Sequence, residues 1–513
     1  MRTAGFLAFA CGLALASPIH AQSSRQPAGW DANLRLKEAA DINPDPHVVE
    51  INLDARVGTV EIAPGKTVEA WTYDGGIPGP LIRVQVGDRL IVHFTNHLPM
   101  PTTVHWHGIR IPNNMDGVPD VSQPDVKPGE AFTYDFIVPD AGLYWYHPHV
   151  ASAAQVGFGL YGALIVEDPK DPIQIADEAV MVLSDIEITD KGTLERPDTG
   201  GSAGMAFGRE GNHVLVNGRE DRRITVRAGA PERWRIVNAA KSRYMELQLD
   251  GQNQAQPLVK IGVDGGYIET PVESKTVVIA PGERVDLVVR PGGKPGDTLH
   301  FRSLLFDRGY GSTEARLPFD NLVAVSIAKL PADTAPLPAF PGRQIAPLST
   351  AGATHIDIAL TIDVMLDGSF KYGINGVPFA ENKPLKATVG ETQVWTLTNK
   401  TKWSHPFHIH GFFFQVLDEK GQPVHPLAWR DTVDVPYDKT VSIVVRFDER
   451  PGMWMYHCHI LDHADGGLMG MIDLRMPGDT TVHEHVHTPG APIATKHTPE
   501  TTEETPETPD GQQ

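Results

Sequence analysis

His457-Cys458-His459-Ile460-Leu461-Asp462-His463 places one cysteine and three histidines within seven residues. On a β-strand, alternate side chains point to opposite faces, so Cys458 would face away from both His457 and His459. A metal bound by the thiolate would then lie on one side, and metals bound by these two imidazoles on the other, joined by a short covalent path. This connection suits electron transfer, which zinc cannot perform because its oxidation state does not change. A cysteine with two histidines, His463 among them, and at most a weak axial partner is the ligand set of a blue copper site.

The ends of the chain indicate an exported protein. At 513 residues the length favours about three domains. Residues 1–21 are predicted to be a signal peptide, because Arg2 precedes the short apolar run 5–16 and Ile19-His20-Ala21 is an acceptable cleavage site. The run is too short to span a membrane as a helix. We therefore expect a protein of the periplasm or one secreted into the medium.

Removal of the signal peptide would also remove Cys11 and leave Cys458 alone, without an intramolecular disulfide. A lone cysteine with histidine neighbours is predicted to be a ligand. The net charge of −20 argues against nucleic acid or an anionic membrane as partner. Separately, we expect a monomer. Residues 479–513 are predicted to form a disordered tail rich in Thr, Pro and Glu. Its His483, His485 and His487 are interpreted as scattered polar residues in preference to a loose metal site.

An internal repeat divides the chain into three modules. Gly (49) and Pro (43) are frequent, and short β-branched runs between turn signals are typical of all-β sandwiches. Residues 87–96, 229–238 and 390–399 each open with Gly and close with Asn, and a triplet follows nine residues later. The three triplets are His105-Trp106-His107, Leu247-Gln248-Leu249 and His408-Ile409-His410. We predict homologous β modules at residues 45–170, 171–335 and 350–478, and the middle one lacks ligands.

A second repeat adds two more His-x-His pairs, His147-Pro148-His149 and His457-Cys458-His459, each some way after a Pro-Gly. Two imidazoles on one face of a strand lie about 7 Å apart at their Cα atoms, which suits two neighbouring metal ions. One pair alone would be better explained by surface or packing histidines, but four pairs in matched repeats favour copper. The outer modules must then touch, with the middle one as a spacer, and His405 is expected to turn toward Cys458.

These motifs resemble those of the multicopper oxidases, three-domain bacterial proteins of the laccase type, over most of the mature chain. The resemblance rests on four segments: His105-Trp106-His107-Gly108, Tyr146-His147-Pro148-His149, His405-Pro406-Phe407-His408-Ile409-His410-Gly411, and His457-Cys458-His459 with His463. It implies three consecutive cupredoxin-like Greek-key β-sandwich domains and four coppers per chain.

The resemblance also implies a ligand set and a reaction. The type 1 copper would be bound by His405, Cys458 and His463, the type 2 copper by His105 and His408, and the type 3 pair by His107, His147, His149, His410, His457 and His459. A reductant would lose single electrons at the type 1 copper, and these would pass through Cys458 to His457 and His459. Dioxygen would be reduced to water at the three-copper cluster. Asp116, in Met115-Asp116-Gly117, matches the family's acidic residue beside the cluster and would relay protons, unless it only forms a turn before Gly117.

Two positions depart from the family pattern. Leu468 stands ten residues after Cys458, at the axial position, and a non-coordinating leucine there should raise the potential of the type 1 site. Met469 could coordinate instead if Gly466-Gly467 shifted the loop, but Leu468 is preferred. Ala464 stands where many bacterial relatives carry a glutamate that delivers protons. Asp462 or Asp465 could replace that glutamate, or Asp116 could act alone.

The preferred function is laccase-like oxidation of phenols or aromatic amines. The alternative is a metallo-oxidase of Cu(I), Fe(II) or Mn(II), but the late methionines (Met453, Met455, Met469, Met471 and Met476) are interpreted as packing residues of strands and loops. Rates on a phenol against Cu(I) would separate the two. A non-enzymatic protein of the same fold is disfavoured because all ten histidines and Cys458 are present, and a copper nitrite reductase does not need four His-x-His pairs in one chain.

Overall fold

The structure, a computed structural model, describes residues 23–196, 201–251, 254–309, 319–337, 339–340 and 342–479. The predicted signal peptide with Cys11, and residues 480–513 of the predicted tail with its three histidines, lie outside the described residues. Within the described residues the chain forms 30 β-strands and a few short helices. The prediction of an all-β protein is confirmed. No helix in the described part of the chain has the length and apolar character needed to cross a membrane.

The first module consists of two four-stranded sheets, with orders β2-β1-β4-β6 and β3-β8-β7-β5. Their strands are β1 (Val48–Ala63), β2 (Lys66–Tyr73), β3 (Ile82–Gln85), β4 (Arg89–Asn96), β5 (His105–His107), β6 (Ala131–Ile137), β7 (Gly142–His147) and β8 (Gly162–Glu167). A 3₁₀ turn (Asn113–Met115) and helix α1 (Ser152–Gly157) lie in the connections. The edge strand β5 pairs with β7 so that His105 is opposite His147. The two His-x-His segments of this module are therefore neighbours.

The middle module has two larger sheets, with orders β10-β9-β12-β18-β15-β16 and β11-β20-β19-β13-β14, and β17 also pairs with β13. Its strands are β9 (Glu178–Ile186), β10 (His213–Val216), β11 (Arg223–Val226), β12 (Glu232–Asn238), β13 (Met245–Gly251), β14 (Gln254–Gln256), β15 (Leu258–Val263), β16 (Gly266–Ser274), β17 (Val277–Ile279), β18 (Arg284–Val289), β19 (Thr298–Leu304) and β20 (Phe319–Ile327). Helix α2 (Gly201–Phe207) lies between β9 and β10 and contacts the third module.

The third module has two five-stranded sheets, with orders β22-β21-β24-β28-β26 and β23-β30-β29-β25-β27. Its strands are β21 (Thr354–Val364), β22 (Phe370–Ile374), β23 (Leu385–Thr388), β24 (Thr392–Asn399), β25 (His405–Ile409), β26 (Phe414–Leu417), β27 (Thr432–Val435), β28 (Thr440–Arg446), β29 (Gly452–Cys458) and β30 (Met469–Arg475). A 3₁₀ turn (Phe379–Glu381) precedes β23, and helix α3 (Leu461–Asp465) follows β29.

The three modules share one topology. In each, one sheet contains a parallel pair made by the first strand of the module and the strand of the repeat: β1 with β4, β9 with β12 and β21 with β24. The other sheet contains a second parallel pair: β3 with β8, β11 with β20 and β23 with β30. The remaining pairings are antiparallel. The sequence repeat therefore marks equivalent strands of three related sandwiches.

The asparagine that closes each copy of the repeat has a common structural role. Asn96 donates from Nδ2 to the carbonyls of Met100 (2.9 Å) and Val126 (2.8 Å), and its Oδ1 accepts from the N–H of Leu98 (2.9 Å). Asn238 and Asn399 make the corresponding three bonds. Because these bonds satisfy buried backbone groups, they fix the loop that leads from each repeat strand to the triplet strand.

Each module is built around its own apolar core. A fully buried tryptophan lies in each of the three cores: Trp106, Trp234 and Trp395. Because burying a tryptophan removes roughly 200 Å² from water, each contributes about 5 kcal/mol before entropy losses are counted. The triplet strands β5 and β25 are wholly buried, and they lie where the first and third modules meet.

Candidate metal centre

The thiol of Cys458 lies beside two imidazoles. Its Sγ is 3.3 Å from Nδ1 of His405 and 3.7 Å from Nδ1 of His463, and these two nitrogens are 3.3 Å apart. His405 opens β25, Cys458 ends β29 and His463 is on α3, and all three side chains are fully buried. We call this group the cysteine site.

The outer nitrogen of each imidazole in the cysteine site is already hydrogen-bonded. Nε2 of His405 is 2.7 Å from the hydroxyl of Thr401, and Nε2 of His463 donates to the carbonyl of Ala206 at the end of α2 (3.0 Å). A proton on Nε2 of His463 leaves Nδ1 as a lone pair directed toward Cys458. Burial lowers the pKa of His405 to about 3 and lowers that of His463 well below its ordinary value, so both rings are neutral. Burial raises the pKa of the Cys458 thiol, which a bound cation would reverse.

Leu468 and Met469, the two candidates for the axial position, point to opposite faces of the sheet. Leu468 is fully buried in the apolar cluster that contains Cys458, and its carbonyl accepts from the N–H of Cys458 (3.1 Å). Met469 begins β30 directly opposite His457, so its side chain lies on the other face of the sheet. There it packs with Met453, Met455 and Met471. This placement favours Leu468 at the axial position.

The eight imidazoles of the four His-x-His pairs converge between the first and third modules. Ring nitrogens form three groups whose members lie within 4.8 Å of one another: His105, His107 and His408; His107, His147 and His459; and His149, His410 and His457. Nε2 of His410 and Nε2 of His457 are only 3.1 Å apart. The structure thus divides the six residues predicted for the type 3 pair into two triads, with His105 and His408 beside them. We call these eight residues the histidine cluster.

The free nitrogens of the histidine cluster fit bound metal. Buried ring nitrogens without a hydrogen-bond partner include Nε2 of His105, Nδ1 of His107, Nε2 of His147, Nε2 of His408 and both nitrogens of His459. Leaving buried polar atoms unpaired is costly, and metal coordination would remove that cost. Burial lowers the pKa of His149 to about 3. It also lowers the pKa of the other six rings below the ordinary value: His107, His147, His408, His410, His457 and His459. Neutral imidazoles are the form that binds copper.

Two aspartates hold four of these rings, each with its backbone carbonyl and its carboxylate. The backbone carbonyl of Asp116 accepts from Nδ1 of His105 (2.7 Å), and its Oδ2 accepts from Nδ1 of His410 (2.9 Å). The backbone carbonyl of Asp431 accepts from Nδ1 of His408 (2.9 Å), and its Oδ1 is 3.2 Å from Nε2 of His107. Each aspartate therefore ties a histidine of its own module to one of the other module.

The two rings that share an aspartate are stacked on each other, and this holds for both aspartates. The centroids of His105 and His410 are 3.9 Å apart, and those of His107 and His408 are 3.8 Å apart. Although burial alone would raise the pKa of Asp116, the neighbouring His410 and His105 outweigh it and hold this pKa well below its usual range.

Asp431 was not predicted as a functional residue from the sequence. Its only local signal is a charged residue immediately before a strand, in Trp429-Arg430-Asp431-Thr432.

The two other acidic residues that the sequence offered as proton donors are engaged elsewhere. Both oxygens of Asp462 lie 2.9 Å from Nζ of Lys241 in the middle module. Asp465 accepts from the N–H groups of Ser152 (3.1 Å) and Ala153 (2.8 Å) and so caps α1 of the first module. Ala464 offers no acid. Helix α3, which carries His463, is therefore fastened to both other modules, and the middle module does more than space them.

Comparison with known proteins agrees with this arrangement. Three family models, each described as multicopper oxidase, match residues 54–171, 177–301 and 353–475. A protein of Mycobacterium tuberculosis named multicopper oxidase MmcO is 31% identical, with 91% of this chain and 96% of the relative covered. A laccase of Bacillus subtilis is 25% identical, with 79% of this chain and 90% of the relative covered.

A solved structure, described as a multicopper oxidase from Campylobacter jejuni and a metallo-oxidase, superposes with a TM-score of 0.75 at 28% identity, covering 86% of this chain and 94% of that one. The likeness extends over all three modules. The prediction of three consecutive cupredoxin-like domains is confirmed.

Proposed function

Because this chain belongs to the multicopper oxidase family of copper-dependent oxidoreductases, which use oxygen as acceptor, we propose that it is a laccase-like oxidase of phenols or aromatic amines. In this proposal the cysteine site takes one copper, bound by His405, Cys458 and His463, with Leu468 at the axial position. The histidine cluster takes three, of which one is bound by His105 and His408. Bound copper would supply the one-electron chemistry that joins oxidation of the reductant to reduction of dioxygen to water.

The observation that carries the oxidase proposal is the position of Cys458 between the two sites. Its thiol belongs to the cysteine site, while the imidazoles of its neighbours His457 and His459 belong to the histidine cluster. Nδ1 of His457 donates to the carbonyl of Cys458 (2.9 Å), which gives a hydrogen-bonded route in parallel with the covalent one. These contacts hold the two sites at a fixed, short separation.

Protons for water formation require a relay group beside the histidine cluster, and we propose that the carboxylate of Asp116 accepts protons and passes them on. Its Oδ2 accepts from Nδ1 of His410, and its Oδ1 is 3.3 Å from Nδ1 of His105. Of the other candidates from the sequence, Asp462 is held by Lys241 and Asp465 by the start of α1. Asp116 is thus the carboxylate placed best for a relay.

A cavity connected to the cysteine site through one backbone contact has an aromatic pair in its wall, together with charged residues such as Glu210, Arg243 and Asp320. It encloses about 340 Å³ and is lined in part by Tyr244 and Phe306, whose rings stack at 5.3 Å with an interplanar angle of 7°. Arg308 also lines it, and the carbonyl of Arg308 accepts from the N–H of Ser404 (2.7 Å), the residue before His405. A planar ring in this cavity would lie against aromatic side chains and close to a ligand of the cysteine site.

Steady-state kinetics of a Phe306→Ala variant test this substrate class. We expect KM for a methoxyphenol to rise about 2- to 10-fold, the equivalent of one lost aromatic contact, with the rate on Cu(I) unchanged. Phe158→Ala is the matched control, because Phe158 is also half-buried and stacked, on Trp71, but lies in the first module away from the cavity. Equal effects of the two variants on the phenol would contradict the proposal.

A second candidate is oxidation of Cu(I), Fe(II) or Mn(II), which a different surface favours. Met453 and Met469 are half-buried beside the buried Met455 and Met471, where the third module meets Val118 of the first. Thioethers are soft ligands suited to Cu(I). Under this alternative, replacing Met453 and Met469 together by leucine would reduce the rate on Cu(I) and leave the rate on the phenol unchanged.

We also propose that the protein is exported, on the sequence features of residues 1–21. N-terminal sequencing of the protein recovered from the periplasm or the medium tests this, since cleavage after Ala21 is expected. Recovery of the intact N-terminus from the cytoplasm would contradict it.

A further inference from the structure

The two aspartates of the histidine cluster differ in one respect. Asp431 forms an ion pair with Arg284, the first residue of β18 in the middle module, whereas the described contacts of Asp116 are with imidazoles. Nη1 of Arg284 donates to Oδ1 of Asp431 (2.7 Å), and Nη2 donates to Oδ2 (2.5 Å). Both side chains are at most 1% exposed. This is the two-pronged geometry that only a guanidinium provides.

Arg284 joins all three modules at this point. Its Nε donates to the carbonyl of Leu143 in the first module (3.0 Å), and its backbone N–H donates to Oδ1 of Asp264 in the middle module (2.9 Å). The other Asp264 oxygen faces the backbone N–H groups of Asp431 (3.4 Å) and Thr432 (3.3 Å) in the third module. The guanidinium therefore cannot shift without disturbing contacts in each module.

The glycine of the first ligand motif is explained by the same ion pair. Gly108 follows His107 and has a φ of +89°, and a Cβ at this position would overlap the guanidinium of Arg284 and the carboxylate of Asp431. The close approach of these groups to the backbone after His107 requires the absence of a side chain. The motif His105-Trp106-His107-Gly108 is thus shaped by a residue 176 positions away in the chain, the difference between 284 and 108.

Since a guanidinium always carries its charge, the paired carboxylate of Asp431 can only accept hydrogen bonds. The carboxylate accepts from Nε2 of His107, so Nδ1 of that ring carries no proton. The backbone carbonyl of Asp431 accepts from Nδ1 of His408, so Nε2 of that ring carries none. These free nitrogens are two of those that lack a partner inside the cluster. We propose that Arg284 is a positioning residue for the type 2 copper at His105 and His408, acting through Asp431 to fix the orientation and tautomer of His408. The same carboxylate fixes the neighbouring ring of His107, which belongs to the predicted type 3 set. The module without ligands thereby supplies the charge that orders the ligands of the other two.

This inference rests on the copper cluster of the proposed function, and an Arg284→Gln variant tests it. After copper loading, we expect the wild-type protein to hold four coppers and to show a type 2 signal by electron paramagnetic resonance. In Arg284→Gln, we expect the affinity for the type 2 copper, measured by competition with a chelator, to fall about 10- to 100-fold. The type 2 signal would be lost or altered at limiting copper, while the blue band of the cysteine site is retained.

Arg233→Gln is the matched control. Arg233 is also a middle-module arginine and is 7% exposed. It forms a two-pronged ion pair with Asp286, from Nε to Oδ1 (3.1 Å) and from Nη2 to Oδ2 (2.5 Å), and its described hydrogen bonds include no candidate ligand. Both variants should lower the melting temperature of the copper-free protein, and only Arg284→Gln should weaken type 2 copper. An unchanged affinity and signal in Arg284→Gln would overturn the inference and leave a purely structural ion pair.

Arg284→Lys covers the case in which Arg284→Gln does not fold, because lysine keeps the charge and loses the fork. Weakened type 2 copper in Arg284→Lys supports the positioning role, and wild-type affinity refutes it. A wild-type protein without type 2 copper would instead overturn the proposed function, and the inference with it.

Discussion

We expect the ion pair between Lys241 and Asp462 to be the main contact that holds helix α3, which carries His463, against the middle module. Nζ of Lys241 is 2.9 Å from each carboxylate oxygen, and both side chains are 5% exposed. Asp462 immediately precedes His463, a predicted copper ligand. We predict that Lys241→Met strongly destabilises the fold around α3, because it leaves a buried carboxylate without its cation.

The size of the effect follows from what Asp462 keeps. In the variant its Oδ2 still accepts from the backbone N–H of Arg209 (3.0 Å) and the hydroxyl of Ser242 (3.2 Å), but it loses the ammonium group of its described ion pair. Removing one member of a buried ion pair costs about 3–5 kcal/mol. A second change, Asp462→Asn, removes the unpaired charge and keeps an oxygen for Arg209, so the double variant should recover most of the loss.

Urea unfolding of the copper-free protein measures this, followed through the transition that involves the third module. Lys402→Met is the control, since Lys402 and Asp438 form an exposed pair at 3.7 Å and its loss should cost less than about 1 kcal/mol. If Lys241→Met unfolds at the same urea concentration as the Lys402→Met control, or if the double variant is as unstable as the single one, the reasoning is refuted.

Three further predictions concern single positions. Leu468→Met supplies a thioether beside Cys458, so the reduction potential of the blue centre should fall. A redox titration of the visible band measures this, and an unchanged potential would place residue 468 outside the axial position. Asp116→Asn should lower kcat about 100-fold or more with copper content unchanged, as expected when an acid–base group is lost, and a normal kcat would remove it from the proton path. Burial raises the pKa of Glu232 to about 8 from an unfolded value of about 4.3, so its contribution to stability is complete below pH 4.3 and is lost as the pH rises to 8. The melting temperature of copper-free wild type should therefore fall relative to Glu232→Gln between pH 5 and 9, and parallel curves would contradict this assignment.

The sequence predicted most of the fold because its signals were local and repeated. Strand alternation at residues 457–459 placed Cys458 and its two histidine neighbours on opposite faces, and the structure has them there. The matched Gly-to-Asn segments indicated three related modules, which share one strand topology. The limits assigned to each module remain predictions, as do the copper assignments of the individual ligands.

The partners of the ligands could not be predicted because they are set by contacts between modules. Arg284 and Asp431 are 147 residues apart, and neither lies in a repeated motif. Similarly, nothing local to Lys241 indicates that it pairs with Asp462, 221 residues away. Such pairs depend on how three finished sandwiches pack, which no periodicity within one strand encodes.

The position of Leu468 was predicted only in part from the sequence. Counting from Cys458 favoured it over Met469, but the count assumed a loop of ordinary length after His463. The structure supplies the missing information through register, because Met469 is opposite His457 and so shares the face of the histidine cluster. A one-residue shift in that pairing would have exchanged the two side chains.

In the proposed function, one chain holds a blue copper joined through Cys458 to a three-copper cluster. Copper analysis together with visible and electron paramagnetic resonance spectra of the loaded mature protein tests it most directly. We predict four coppers per chain, an intense visible band from the cysteine thiolate, a near-ultraviolet shoulder from a bridged pair and a separate type 2 signal. A protein that takes up fewer coppers and stays colourless would contradict the account, because the cysteine site and the histidine cluster would then not be copper sites.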